Sequence, residues 1–325
     1  MDEFIARFKS QVNNDLIRSN FPEITDSETP VWHGSPSTIS MADKYILAII
    51  VFLVHIIFFL GEWFENPENA TNNRVFSTII WLVDLTGIFG FVFIMLLLTK
   101  INHYANFSTS GKWTTIFLLF SGLFPLLWQF LDLVEWISEY INLGFTNPLP
   151  NWNLLWFLPL GITSSSIMII FTILYQKSFQ YAITDKRIHI RKQFLYFDTS
   201  VHGISLQKVE NLKADPTILG KIFGFGNVHI VTGSGVGLQV ESLGVSVGIS
   251  EDGEDENIPT GLRRFFLVIF GWISIQRSKS VMATDPSNCL YGIKNPMEKY
   301  RLINELMDLN VGSVLDNDDI STKKF

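Results

Sequence analysis

The stretch Leu154–Ile190, LLWFLPLGITSSSIMIIFTILYQKSFQYAITDKRIHI, decides the fold, because the spacing of its apolar residues changes partway along. From Leu154 to Tyr175 it is apolar almost throughout, long enough for a helix to cross a bilayer, which takes about 20 residues. From Phe179 to Thr184 apolar and polar residues alternate. Asp185-Lys186 then makes a turn, and Arg187–Arg191 alternates again, the pattern of a β-hairpin. A membrane helix therefore leads directly into an antiparallel sheet.

Upstream, three more runs have the length and composition of membrane spans: about 45–64 (YILAIIVFLVHIIFFLGEWF), 75–98 and 113–137, with 154–175 as the fourth. Short loops separate them, which argues against four buried helices of a soluble core. Pro125 and Pro159 fall inside spans, where membrane helices tolerate them. Composition agrees. Charged residues make up 17% of the 325, against about 25% in soluble domains, and there are 28 Phe and 9 Trp. Residues 176–325 hold 17 basic and 17 acidic side chains, so the whole net charge of −7 sits in the apolar front half. A disordered chain is excluded by the aromatics, and nucleic acid as a partner by the lack of a basic footprint.

Loop charges predict the orientation. The 99–112 loop carries Lys100 and Lys112 without an acid, and Lys177, Lys186, Arg187, Arg191 and Lys192 follow the last span. The other two loops are acidic. By the positive-inside rule both termini face the cytoplasm of a multi-pass cell-membrane protein. Residues 1–44 form a cytosolic segment. In it Phe4, Ile5, Phe8, Val12 and Leu16 recur at helical spacing, and Pro22, Pro30 and Pro36 mark a linker. This helix either packs on the cytosolic domain or lies in the membrane surface; the balance of Asp2, Glu3 and Asp15 against Arg7, Lys9 and Arg18 favours packing.

Downstream, residues 176–309 read as a mainly β domain. Short strands are expected at 194–197, 201–206, 209–213, 227–232 and 237–247, with Gly233-Ser234-Gly235 as a hairpin turn. Asn295-Pro296 starts a helix to about Leu309 with Met297, Tyr300, Ile303, Leu306 and Met307 on its apolar face. The predicted fold is a membrane four-helix bundle followed by a bent antiparallel sandwich or barrel with one C-terminal capping helix. An insertion at about 249–285 contains an acidic loop, EDGEDE, and the apolar run Leu262–Ile275. Residues 310–325 read as a disordered polar tail.

Several segments in this order resemble a known family. Tyr181–Ile190 (YAITDKRIHI) resembles the opening hairpin of bacterial pleckstrin-homology-like domains of the YdbS type, and Gly203–Leu212 (GISLQKVENL) is similar to their second signature segment. Ile218–Ile230 (ILGKIFGFGNVHI) resembles the family's glycine turn and following strand. Gly292–Tyr300 (GIKNPMEKY) resembles its entry into the last helix, and Pro30–Ser37 (PVWHGSPS) the segment before its first span. The resemblance implies a strongly bent seven-stranded sheet capped by one helix, and a membrane-attached, non-enzymatic module. Four spans are more than that family commonly has, and the insertion has no counterpart in it.

The chemistry offered by the residues is that of binding. G-x-S-x-G, H-E-x-x-H and P-loop motifs are missing, the single Cys289 excludes a multi-cysteine zinc site, and no cofactor is implied. His189, His202 and His229 fall in strands and are expected to face solvent. Candidates for anionic headgroups are Lys186, Arg187, Arg191 and Lys192, and around the apolar run Arg263, Arg264, Arg277 and Lys279. Phe265, Phe266, Phe270 and Trp272 are candidates for a wedge dipping into the bilayer; packing on the domain is the other reading of that run. Partners are then the lipid bilayer, anionic lipids, and a protein partner or a second copy of the chain. The competing expectation is a small ion or proton channel or transporter built on the intramembrane polar residues His55, Asp84, Gln129 and Asp132.

Overall fold

The computed structural model describes residues 2–65, 74–104, 112–195, 198–235, 237–243, 277–282 and 285–322. Four long helices, α3 (Ala42–Glu65), α4 (Arg74–Tyr104), α5 (Lys112–Tyr140) and α6 (Phe157–Lys177), form the apolar half. The stretches long and apolar enough to cross a membrane are Thr38–Gly61, Leu85–His103, Trp113–Tyr140 and Leu154–Lys177. The helix that carries the second stretch starts at Arg74, one residue before the expected Val75. Within α4, Gly87 takes φ 51° and ψ −142°, a conformation open to glycine, and the helix kinks there.

Glycines set the helix spacing. A Cβ on Gly61 would lie 2.5 Å from Val83, one on Gly122 2.7 Å from Met95, and one on Gly161 2.6 Å from His55. Small residues at these crossings let backbones approach closely, which is how membrane helices gain packing energy. The centre is aromatic: the rings of Phe58, Phe91 and Phe157 lie 4.5–5.5 Å apart and His55 packs on Phe91 at 4.8 Å. Leu85, Phe89, Phe93 and Phe120 point outward instead. So much outward apolar surface on adjoining helices suits lipid and not water.

The polar half begins at the N-terminus. α1 (Asp2–Ser10) and α2 (Asn14–Asn20) precede strand β1 (Pro30–Gly34). The linker expected around Pro30 is therefore an edge strand. It pairs antiparallel with β2 (Phe179–Thr184), setting Trp32 opposite Ile183 and Gly34 opposite Tyr181. An edge position leaves Pro30 no ladder bond to break. The sheet continues through β3 (Arg187–Phe194) to β4 (Asp198–Ser205), in the order β1-β2-β3-β4. β3 takes in Phe194 and Leu195 turns with φ 49°, so no separate strand opens at 194.

β5 (Val209–Asp215) leads to a short helix, α7 (Ile218–Phe223), where the sequence pattern indicated only a turn. Thr217 caps its start by accepting from Gly220 N at 3.0 Å, and Gly224 ends it with φ 72°. β6 (Phe225–Thr232) and β9 (Cys289–Lys294) complete the sheet β5-β6-β9; β7 (Leu238–Leu243) and β8 (Arg277–Met282) form a separate pair. α8 (Pro296–Thr322) closes the structure and runs past the expected end at Leu309 into the stretch read as a polar tail. It buries Leu302, Ile303 and Leu306, whereas Met297, assigned to the buried face, is exposed.

One hydrophobic core joins both sheets to the helices. It contains Ile5 and Phe8 of α1, Val31 of β1, Met41 before α3, Tyr175 near the end of α6, Phe179, Ile183 and Ile188 of the first sheet, Val228 and Leu290 of the second, and Ile303 of α8. The N-terminal helix thus packs on the domain, and Arg7 pairs with Glu298 of α8.

Candidate functional site

The sheets meet the bundle through buried polar and aromatic contacts. Lys44, near the start of α3, is fully buried; its Nζ lies 3.1 Å from Asp43 and 5.6 Å over the Tyr175 ring. The Lys192 Nζ also lies near that ring, 5.8 Å from the Tyr175 and Phe179 centroids, and is paired with Asp198 at 2.5 Å. Three further bonds tie the segment before α3 to the domain. Tyr291 donates to the Ser40 carbonyl at 3.0 Å, Gln176 to the Pro36 carbonyl at 2.6 Å, and Ser37 N to the Gly292 carbonyl at 2.8 Å. Beside them a cavity of about 500 Å³ opens between Ile39, Asp43, Thr217, Leu219 and Tyr291.

A second polar cluster is built on β1–β3. Glu28, with a side chain 1% exposed, accepts from His189 Nε2 at 3.0 Å and Thr184 Oγ1 at 2.9 Å, with Arg187 at 3.7 Å. Thr25 donates to its other oxygen at 3.0 Å. Burial alone would raise the carboxyl, but the bonds from His189, Thr184 and Thr25 hold it below its ordinary value.

The hairpin separates the four basic residues read as one patch. Phe179 pairs with Lys192 next to the bundle, and the turn carrying Lys186 and Arg187 lies at the other end of β2. Five residues at about 3.3 Å each put roughly 17 Å between the two ends. Arg187 is engaged by Glu28, Lys192 by Asp198, and Arg191 by the Asn20 carbonyl and Gln193. Lys186 is exposed at the turn. Arg263, Arg264, Phe265, Phe266, Phe270 and Trp272 lie outside the described residues, as does the EDGEDE loop; Arg277 and Lys279 fall in β8.

Among the intramembrane residues, His55 bonds the Val51 carbonyl through Nδ1 at 2.8 Å and is enclosed by Phe91 and Phe157. Asp132 accepts from Asn147 Nδ2 at 2.7 Å and from Trp152 N at 2.9 Å, so it organises the loop between α5 and α6. Gln129 lies on the outer face of α5, beside Phe89, Phe130 and Leu133. Asp84 is in α4, three residues before the kink, and its side chain lies outside the described residues. His55 is thus enclosed in the bundle centre, while Gln129 and Asp132, one turn apart on α5, face the outside and the following loop.

The strand histidines need correcting. His189 and His229 are buried, and only His202 faces out. Alternation alone could not show this, because β3 and β6 have neighbouring strands on both sides and packing over their faces. Lys44 and Glu28 were missed as well. The sole signal for Lys44 was a charge pair, Asp43-Lys44, at the head of an apolar run. Among the described residues no three His, Cys, Asp or Glu side chains are placed to hold a metal ion.

Residues 133–249 match the family model described as a bacterial PH domain. The matched stretch begins in α5, takes in α6 and the strands β2–β7, and bears out the resemblance drawn from the motifs. β8, β9 and α8 lie beyond it. No curated protein and no solved structure matches the chain.

Proposed function

We propose that this chain, with its bacterial PH domain behind four apolar helices, is a multi-pass membrane protein whose domain is a non-enzymatic binding or scaffolding module. Both termini face the cytoplasm of a cell membrane, as the loop charges direct. The observation that carries the reading is the shared core. Met41, in the turn that leads into α3, and Tyr175 near the end of α6 are packed with strand residues of both sheets. A module joined in this way is held at a fixed height and orientation, which serves to present a surface to anionic lipid headgroups or to a protein partner. The polar residues inside the spans offer less support for transport, since Asp132 is engaged by Asn147 and Trp152 of the loop after α5.

Extraction into lipid-preserving native nanodiscs, followed by mass spectrometry of lipids and proteins, tests the reading. An anionic lipid or a protein retained in constant proportion supports it. Purified protein that passes protons or cations in proteoliposomes, with neither retained, would replace it with the channel reading. The orientation has its own check. A thiol introduced as Leu143→Cys should react with an impermeant reagent in intact cells, and one introduced as Lys186→Cys should not; the reverse pattern inverts the topology.

A further inference from the structure

α7 has an unusual surface. Of its six residues, ILGKIF, Ile218 is 83% exposed, Ile222 71% and Phe223 55%, and Leu219 is also exposed. Gly220 faces inward, where a Cβ would meet the Phe225 carbonyl. A short helix in a water-facing position would normally turn its large apolar side chains inward.

Its position accounts for this. Ile39, Asp43, Thr217, Ile218 and Leu219 line one cavity, so α7 lies against the segment that becomes the first span. That span begins at Thr38. Ile39 is itself exposed, and the exposed side chains Ile46, Ile49 and Leu53 continue along α3. Exposed apolar side chains therefore run from the bilayer-facing side of α3, past Asp43 at its head, onto α7. The helix is also held rigidly, by the Thr217 cap at one end and at the other by Asn295 N donating to the Gly224 carbonyl at 2.9 Å.

We propose that α7 is an interfacial anchor, with Ile218, Ile222 and Phe223 seated in the boundary of the bilayer beside the head of the first span. Lys221, exposed between them, reaches the phosphate level by extending its side chain. The anchor would fix the second sheet against the membrane, as the α6–β2 connection fixes the first. The inference rests on α3 spanning the bilayer, and the experiment separates the two.

The full chain carries one fluorophore sensitive to water and to lipid quenchers, attached at Ile222→Cys, at Phe120→Cys on the outer face of α5, or at Lys186→Cys on the far turn of the domain. Each is reconstituted into phosphatidylcholine–phosphatidylglycerol vesicles containing phospholipid with a nitroxide on its acyl chain. Cys289 is buried, and the unsubstituted chain gives the background. Ile222 is mostly exposed, so its replacement leaves the fold in place. The expected result is loss of emission at position 222 to the same degree as at 120, with emission at 186 retained. Emission at 222 that stays as bright as at 186, while 120 is quenched, overturns the anchor alone. Emission retained at 120 as well overturns the membrane-spanning reading and the anchor with it.

Discussion

Replacing Glu28 by alanine should destabilise the domain by about 2–4 kcal/mol, and the structure shows which of its bonds is responsible. Four groups face the Glu28 carboxylate, but three have alternatives. The Thr184 hydroxyl also lies 3.0 Å from the Arg187 carbonyl and can turn its proton there. Thr25 and Arg187 are close enough to solvent to bond water. His189 has no such choice: it is 2% exposed and its Nδ1 has no hydrogen-bond partner. Without Glu28 its Nε2 is orphaned too, at about 1–3 kcal/mol for a buried unpaired polar group. The lost packing of the side chain adds about 1 kcal/mol. Glu28→Gln keeps an acceptor and should cost about 1 kcal/mol. Denaturant unfolding in micelles measures the total, and hydrogen exchange along β1 and β2 locates it. The carboxyl is lowered in the fold, so its contribution is complete above its ordinary pKa of 4.5 and is lost as pH falls through the lower native value. The gap between the unsubstituted chain and Glu28→Gln should be full at neutral pH and close in acid. If alanine and glutamine unfold together with the unsubstituted chain, or the gap widens in acid, the reasoning is refuted.

Two further outcomes follow from the geometry. Asp132→Leu should lower thermal stability by about 1–3 kcal/mol because Trp152 N loses its acceptor, and Asp132→Asn by less because one oxygen remains; equal losses would show that the loop does not depend on this bond. The Cys289 thiol is fully buried and burial pushes it up, so maleimide should leave it untouched in the folded chain at neutral pH and modify it after unfolding. Rapid labelling of the native protein would contradict the packing around β9.

The junction between bundle and sheet has an electrostatic consequence. Lys44 and Lys192 lie against the Tyr175 ring, each beside an acid, Asp43 and Asp198 respectively. Separating the domain from the spans would expose the ring and leave Lys44 without its surroundings. An isolated 176–325 fragment would lose α1, β1 and the Met41–Tyr175 part of its core.

What the sequence determined by itself was local in origin. About twenty apolar residues in a row specify a membrane helix wherever they stand. The alternation from Phe179 to Arg191 specifies a hairpin because its partner strand is the next one along. Pro296 at the first turn of α8 is another near-neighbour effect. The tertiary structure decided what depends on distant partners. Pro30–Gly34 becomes a strand because β2, about 150 residues later, offers an open edge to a segment whose prolines read as linker. His189 is buried because Glu28, 161 residues away, supplies the acceptor that burial requires. The basic residues after the last span divide into two groups because the hairpin reverses the chain, a distance that spacing in sequence does not contain. In the same way, the apolar side chains of α7 meet the first span only once β5 and β6 have carried that helix to it.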